Sequence, residues 1–149
     1  MKPDRIWIVI ADASRAHILE NSGRGTGAQA VQGRSFRHAS DPSHELGRDR
    51  PSRTHESSGP SRHAIEPKSD PHEKQKLDFA RMLATELANA HAASLFDHLV
   101  LVAPHPFLGA LREALPKQVA MRVKSEIAKD LTKTPAADLA SHLGNAVPL

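Results

Sequence analysis

The stretch IWIVIADASRAHILE, residues 6–20, contains the two strands that decide the fold. Every residue from Ile6 to Ala11 is apolar, which is the pattern of a central strand covered on both faces. The turn residues ADAS follow, and residues 15–20 predict a second strand. Because so short a turn joins antiparallel strands, the chain is predicted to begin with a hairpin whose first strand lies inside a sheet.

The rest of the chain supplies three more strands and three helices. The strands are predicted at 28–36, at 98–103 and within MRVKSEIAKD, where apolar Met121, Val123 and Ile127 alternate with charged residues. The helices are predicted from Asp70 to about Leu95, over 106–115, and from Thr134 to Gly144. This order describes an α/β protein with a five-stranded mixed sheet and flanking helices, a ribonuclease-H-like arrangement.

The first long helix has a complete start signal in DPHE, residues 70–73. Asp70 can cap the helix, Pro71 suits its first position, and Glu73 can complete a capping box. Four apolar residues recur on one side of the helix, which is therefore predicted to pack on the sheet: Phe79, Leu83, Leu87 and Ala90.

Length and composition restrict the possible classes of protein. A chain of 149 residues suits one domain over residues 1–149, within which residues 38–71 form a long Arg/His-rich loop. The absence of cysteine excludes disulfides, thiol catalysis and cysteine-ligated zinc. The first apolar run is too short for a signal peptide, and nothing predicts a membrane span, so a cytoplasmic location is expected.

Residues 38–71 differ from the rest in charge and hydropathy. The span 22–76 carries ten Lys/Arg, seven Asp/Glu and five of the ten histidines, so it holds the whole positive excess. Ordering the 34 residues of the loop costs about 34 kcal/mol, at roughly 1 kcal/mol each. Its two large apolar side chains, Leu46 and Ile65, return about 2–3 kcal/mol apiece. The loop is therefore expected either to stay unordered or to be held by polar contacts with the domain or a partner.

Four stretches of the chain resemble one protein family: WIVIADASRAHI (7–18), DRPSRTHESSGPSRHAIEPKSDPHEK (49–74), FDHLVLVAPHPFLGALREAL (96–115), and EIAKDLTKTP (126–135) followed by ADLASHL. In order and spacing they are similar to the bacterial host attachment protein family. Its members are described as required for attachment to host cells and are grouped with bacterial relatives of the archaeo-eukaryotic release factors.

The resemblance implies a fold and a set of partners. The fold is that of the release factor middle domain, an α/β domain of ribonuclease-H-like type, and the implied partners are the ribosome or transfer RNA. The peptide-releasing members use a Gly-Gly-Gln loop, and this sequence contains no such tripeptide. Peptide release is therefore not expected of this chain.

The histidines and serines of the loop give weak signals for metal binding or hydrolysis. His55, His63 and His72 lie eight and nine residues apart without a nearby cysteine, a spacing that does not favour a metal site. SSGPS, residues 57–61, lacks the Gly-x-Ser-x-Gly pattern of a serine hydrolase. No metal or cofactor is therefore predicted.

Two carboxylates leave a catalytic alternative open. Asp12 ends the first strand and Glu86 lies on the first long helix, and nucleases of ribonuclease-H type use carboxylates that converge on two metal ions. The strand at 98–103, however, ends in Ala103 and Pro104 without an acid. An aspartate after a strand is more often a turn residue. A metal-dependent, nuclease-type hydrolase using Asp12 is the alternative function.

The arginines of the loop favour binding of a polyanion, because a planar guanidinium donates two parallel hydrogen bonds to a phosphate. The predicted nucleic-acid or partner-binding residues are Arg48, Arg50, Arg53, His55, Arg62 and His63. Acids are interleaved with them, so the same residues could instead pin the loop to its own domain or meet a protein. The chain has no Tyr, and Trp7 lies on the first strand, so no platform for stacking bases is evident.

Two other surfaces carry weaker signals. His105 follows a strand at its carboxyl end, where open α/β sheets bind ligands. Arg122, Lys124 and Lys129 make a basic edge, which usually protects a sheet from association. The sequence thus predicts a non-catalytic binding protein, linked to host-cell attachment through a ribosome, RNA or protein partner.

Overall fold

The computed structural model describes residues 4–21, 28–38 and 70–143. Its strands are β1 (Ile6–Ala11), β2 (Arg15–Asn21), β3 (Gln29–Arg37), β4 (His98–Val102) and β5 (Val123–Ile127). Its helices are α1 (Pro71–Ala92), α2 (His105–Ala114), α3 (Lys117–Ala120) and α4 (Ala136–Leu143).

The five strands form one sheet in the order β3–β2–β1–β4–β5. β2 is antiparallel to β1 and β3, whereas β4 is parallel to β1 and β5. β1 lies in the middle because all six of its side chains are buried, none more than 7% exposed, and only a strand covered on both faces allows that. The predicted α/β class, with its five-stranded mixed sheet of ribonuclease-H-like order, is confirmed.

One face of the sheet, which we call the α1 face, is covered by α1, α2 and α3. Its core joins alternate residues of β1 and β2 to the apolar stripe of α1 and to Phe107 of α2. The rings of Phe79 and Phe107 lie 5.7 Å apart between centroids. Phe79, Leu83 and Leu87 are completely buried, which confirms the predicted packing face of α1.

The opposite face, which we call the α4 face, is covered among the described helices by α4. Its core is smaller, and the residues that β1, β4, α4 and the preceding loop contribute to it are Ile6, Ile8, Ile10, Val100, Val102, Leu131, Leu139 and Leu143. On β2, Leu19 joins this core, but Arg15 and His17 are only partly buried. On β3, Ser35 and Arg37 are exposed. The part of the chain that the structure describes therefore covers the α4 face incompletely across β2 and β3.

α1 begins where the sequence predicts. The Oδ1 atom of Asp70 accepts a hydrogen bond from the His72 N–H at 2.9 Å, and Pro71 occupies the first position. The carboxylate of Glu73 lies 3.0 Å from Lys76 Nζ, which adds an ion pair to the first turn.

α1 ends at Ala92, and the predicted end at about Leu95 is wrong. Ser94 adopts a φ of 59°, a left-handed conformation that an α-helix excludes. Arg5 holds this turn, because its Nη2 donates to the Ser94 carbonyl at 2.7 Å. The turn brings Phe96 to within 5.1 Å of Trp7 between ring centroids, so packing in the core terminates the helix early.

The chain between α2 and β5 also differs from the prediction. The sequence does not predict α3, which follows Pro116, and Met121 is not a strand residue. Its backbone caps α3 by donating to Lys117 at 3.0 Å, and its side chain is 75% exposed. The alternation of apolar and charged residues corresponds to a strand only from Val123 onward, where burial alternates along β5. The predicted helix end at Gly144 lies outside the described residues.

Candidate functional site

All six predicted binding residues lie outside the part of the chain that the structure describes. They belong to residues 39–69, which we call the Arg/His segment: Arg48, Arg50, Arg53, His55, Arg62 and His63. The structure defines where this segment leaves the fold, at His38 after β3, and where it returns, at Asp70 before α1. His38 contacts the hairpin turn between β1 and β2, residues 12–14, and Gln75, five residues after Asp70, contacts the same turn.

His38 is fixed at the hairpin turn by its backbone and packs with its ring on α1. Its N–H donates to the Ser14 carbonyl at 2.8 Å. Its ring meets the ring of Phe79 edge-on, with centroids 6.3 Å apart and planes at 76°. The exit of the Arg/His segment is therefore held between the hairpin turn and the first turns of α1.

The return of the segment is tied to the same turn. The Nε2 atom of Gln75, in the second turn of α1, donates to the Ala13 carbonyl at 3.3 Å. Gln75 lies five residues after Asp70, or about 7.5 Å along a helix. His38, before the Arg/His segment, and Gln75, in the second turn of the helix that follows it, are thus both hydrogen-bonded to the hairpin turn.

Asp12 organises the hairpin turn. Its Oδ1 accepts hydrogen bonds from the N–H groups of Ser14 and Arg15, at 2.8 and 2.9 Å. Its Oδ2 lies 3.3 Å from the hydroxyl of Thr132, which also lies 2.6 Å from Oδ1 of Asp130. Oδ1 of Asp12 therefore accepts from donors of the hairpin turn itself, as the interpretation of Asp12 as a turn residue expects.

The structure does not bring together the two carboxylates of the nuclease alternative. Glu86 Oε1 lies 3.6 Å from Arg34 Nη1, and Arg34 lies over the ring of Trp7, which belongs to the α1 face. Asp12 instead touches Thr132, next to the core of the α4 face. Over residues 4–21, 28–38 and 70–143, no group of three or more His, Asp or Glu residues is placed to hold a metal ion.

A basic row on β2 and β3 is a feature that sequence reasoning missed. Arg15 lies directly opposite Arg37, and His17 opposite Ser35, in antiparallel register. Side chains of cross-strand partners lie on the same face, and alternation along a strand keeps i and i+2 together. The four residues, which we call the arginine row, therefore share the α4 face.

Two groups of the arginine row are perturbed by burial. Arg15 Nε is buried and has no hydrogen-bond partner. Burial lowers the pKa of His17 below its ordinary value of 6.5, because it disfavours the charged imidazolium. The signal was present in the sequence, since β2 alternates these residues with apolar Ala16 and Ile18. Recognising it requires the register with β3, which a bulge between His17 and Leu19 shifts.

His105 and the basic edge are exposed, as the sequence suggests for a loop and a sheet edge. His105 is the first residue of α2 and follows β4. On β5, Glu126 accepts a hydrogen bond from Arg112 Nε at 3.1 Å, and this bond holds the pKa of the Glu126 carboxyl below its usual value. Lys129 Nζ donates to the His142 carbonyl at 3.4 Å. This edge therefore mixes both signs of charge.

These observations define the class of protein, a mixed α/β domain with a ribonuclease-H-like sheet whose strands β2 and β3 carry a basic row on the α4 face. The chain matches, over residues 7–143, the model of the family described as "Protein required for attachment to host cells", and it belongs to that family. The resemblance drawn from the sequence is confirmed by this match. A search among curated proteins found no match. No helix among the described residues has the length and hydropathy needed to cross a membrane.

Two solved structures are similar to the chain at low identity. One, described only as an archaeal protein, is 9% identical with a TM-score of 0.48, and the match covers 95% of this chain and 35% of that one. The other, an archaeal translation termination factor, is 11% identical with a TM-score of 0.44, covering 95% of this chain and 38% of that one. The chain spans little more than a third of their length. Likenesses this distant say nothing about what this chain binds.

Proposed function

We propose that this chain is a non-catalytic cytoplasmic binding protein that contributes to host attachment by holding RNA, free or in the ribosome. The arginines of the Arg/His segment bind the phosphates: Arg48, Arg50, Arg53 and Arg62. His55 and His63 lie among them in sequence and add donors. Phosphate contacts from arginine supply most of the affinity of binding that does not depend on base sequence.

One observation supports this proposal. The chain on each side of the Arg/His segment is hydrogen-bonded to one hairpin turn, by His38 to Ser14 and by Gln75 to Ala13. A chain fixed at both ends loses less conformational freedom when it binds than a free tail does. Anchoring on both sides therefore lowers the entropy cost of binding RNA through the arginines of the segment.

Neutralising these arginines tests the proposal. In native lysate, the wild type is expected to crosslink to RNA, and nuclease treatment should remove these crosslinks. A variant with Arg48, Arg50, Arg53 and Arg62 changed to Gln is expected to lose them without nuclease treatment. For the wild type, about four phosphate contacts to a single strand give a slope of log K against log salt near −3. The matched control neutralises four exposed cations of the described surface: Arg81, Lys117, Arg122 and Lys124.

The proposal fails if affinity does not depend on salt, or if the control variant loses as much RNA as the segment variant. Crosslinks that survive nuclease treatment would identify a protein partner instead. Replacing residues 39–69 by a short Gly/Ser linker is expected to keep cooperative unfolding and to remove the RNA, since loop closure depends weakly on length. A shortened chain that does not fold would show that the segment pins the domain.

The nuclease alternative has one observation in its favour. Asp12 and Asp130 both approach the Thr132 hydroxyl, near the carboxyl end of β1. A hydroxyl has one proton, so it donates to only one carboxylate at a time, and the other stays open to a cation. RNA cleavage that requires Mg²⁺ or Mn²⁺ and disappears in Asp12→Asn would establish this function in place of the first.

A further inference from the structure

We draw no further inference here: the strongest candidate, the open groove of about 460 Å³ between α1 and the α2–α3 connection, is lined mainly by the small apolar residues Ala84, Ala88, Ala114 and Pro116, and nothing in the described part of the chain shows what covers it.

Discussion

The two faces of the same sheet are built in different ways. The α1 face is covered by three helices and by a core that contains all the large aromatic contacts described above. Within residues 4–21, 28–38 and 70–143, the α4 face is covered by one helix of eight residues, which does not extend over β2 and β3. Consecutive residues of β2 belong to opposite faces, so Ala16 and Ile18 are buried while Arg15 and His17 remain partly open to solvent.

The difference separates a face that stabilises the domain from a face that carries charged side chains. Burial of a large aliphatic or aromatic side chain contributes about 1.5–3 kcal/mol, and most such side chains lie on the α1 face. Among the described residues, the α4 face holds fewer of them and carries the charged and polar side chains of the arginine row. A surface that contributes less to stability can carry charged side chains such as Arg15, whose Nε is buried without an acceptor.

The largest expected effect tests the contrast between the two cores. Leu83→Ala, on the α1 face, is expected to cost about 4 kcal/mol, and Leu139→Ala, on α4, about 2–3 kcal/mol, because a single short helix can shift to fill the cavity. Both side chains are buried, at 0% and 2% exposed. Urea unfolding followed by circular dichroism measures both. Equal losses in the free energy of unfolding would mean that the two faces contribute equally to stability, and would contradict the difference described above.

A smaller effect is expected at the edge of the α4 face. Asp12→Ala removes the acceptor of two backbone N–H groups and should cost about 1–2 kcal/mol, a magnitude typical of lost capping bonds. Asp12→Asn keeps an Oδ1 acceptor and should cost much less. If Asp12→Asn is as destabilising as Asp12→Ala, the charge itself is required, and Asp12 has to be counted as a partner of the arginine row.

The smallest effect concerns pH and the arginine row. Burial lowers the pKa of His17 in the folded state, so the unfolded chain takes up the proton first as the pH falls. Stability is therefore expected to fall as the pH drops through about 6.5 and below. The difference in melting temperature between about pH 7.5 and about pH 5.5 should be smaller in His17→Gln than in the wild type.

The matched control for this prediction is His105→Gln, since His105 is exposed on α2. This variant should keep the wild-type dependence on pH. The carboxyl groups of Asp78, Asp97 and Glu126 have lowered pKa values, so their titration falls below this range of pH and does not interfere. An unchanged pH dependence in His17→Gln would show that the His17 side chain is more accessible to solvent than its burial in the structure indicates.

The sequence predicted the fold well wherever local pattern and burial agree. Ile6–Ala11 is apolar throughout and is the central strand, and the cap at Asp70 begins α1 as expected. The prediction from sequence was wrong at the end of α1, where contacts between distant parts of the chain set the boundary. No Gly or Pro marks the end of α1, because the turn at Ser94 is held by Arg5, almost ninety residues away in sequence.

The candidate site could be predicted less well, for a related reason. The Arg/His segment is conspicuous because its arginines and histidines lie in one continuous stretch of sequence. Its six binding residues remain a prediction. The arginine row is inconspicuous because Arg15 and Arg37 lie 22 residues apart and meet only through the register of β2 with β3. A bulge shifts that register, so alternation alone does not show which residues face each other.

The surroundings of Trp7 give this protein an optical probe of its own. Trp7 is the single tryptophan of the chain, it is 2% exposed, and its indole N–H donates to Glu20 at 2.9 Å. The guanidinium of Arg34 lies 5.4 Å from its ring centroid. Arg34 belongs to β3, the strand that carries Ser35 and Arg37 on its other side. A ligand that displaces β3 therefore changes the charge above the indole, and unlabelled protein reports that displacement through its intrinsic fluorescence.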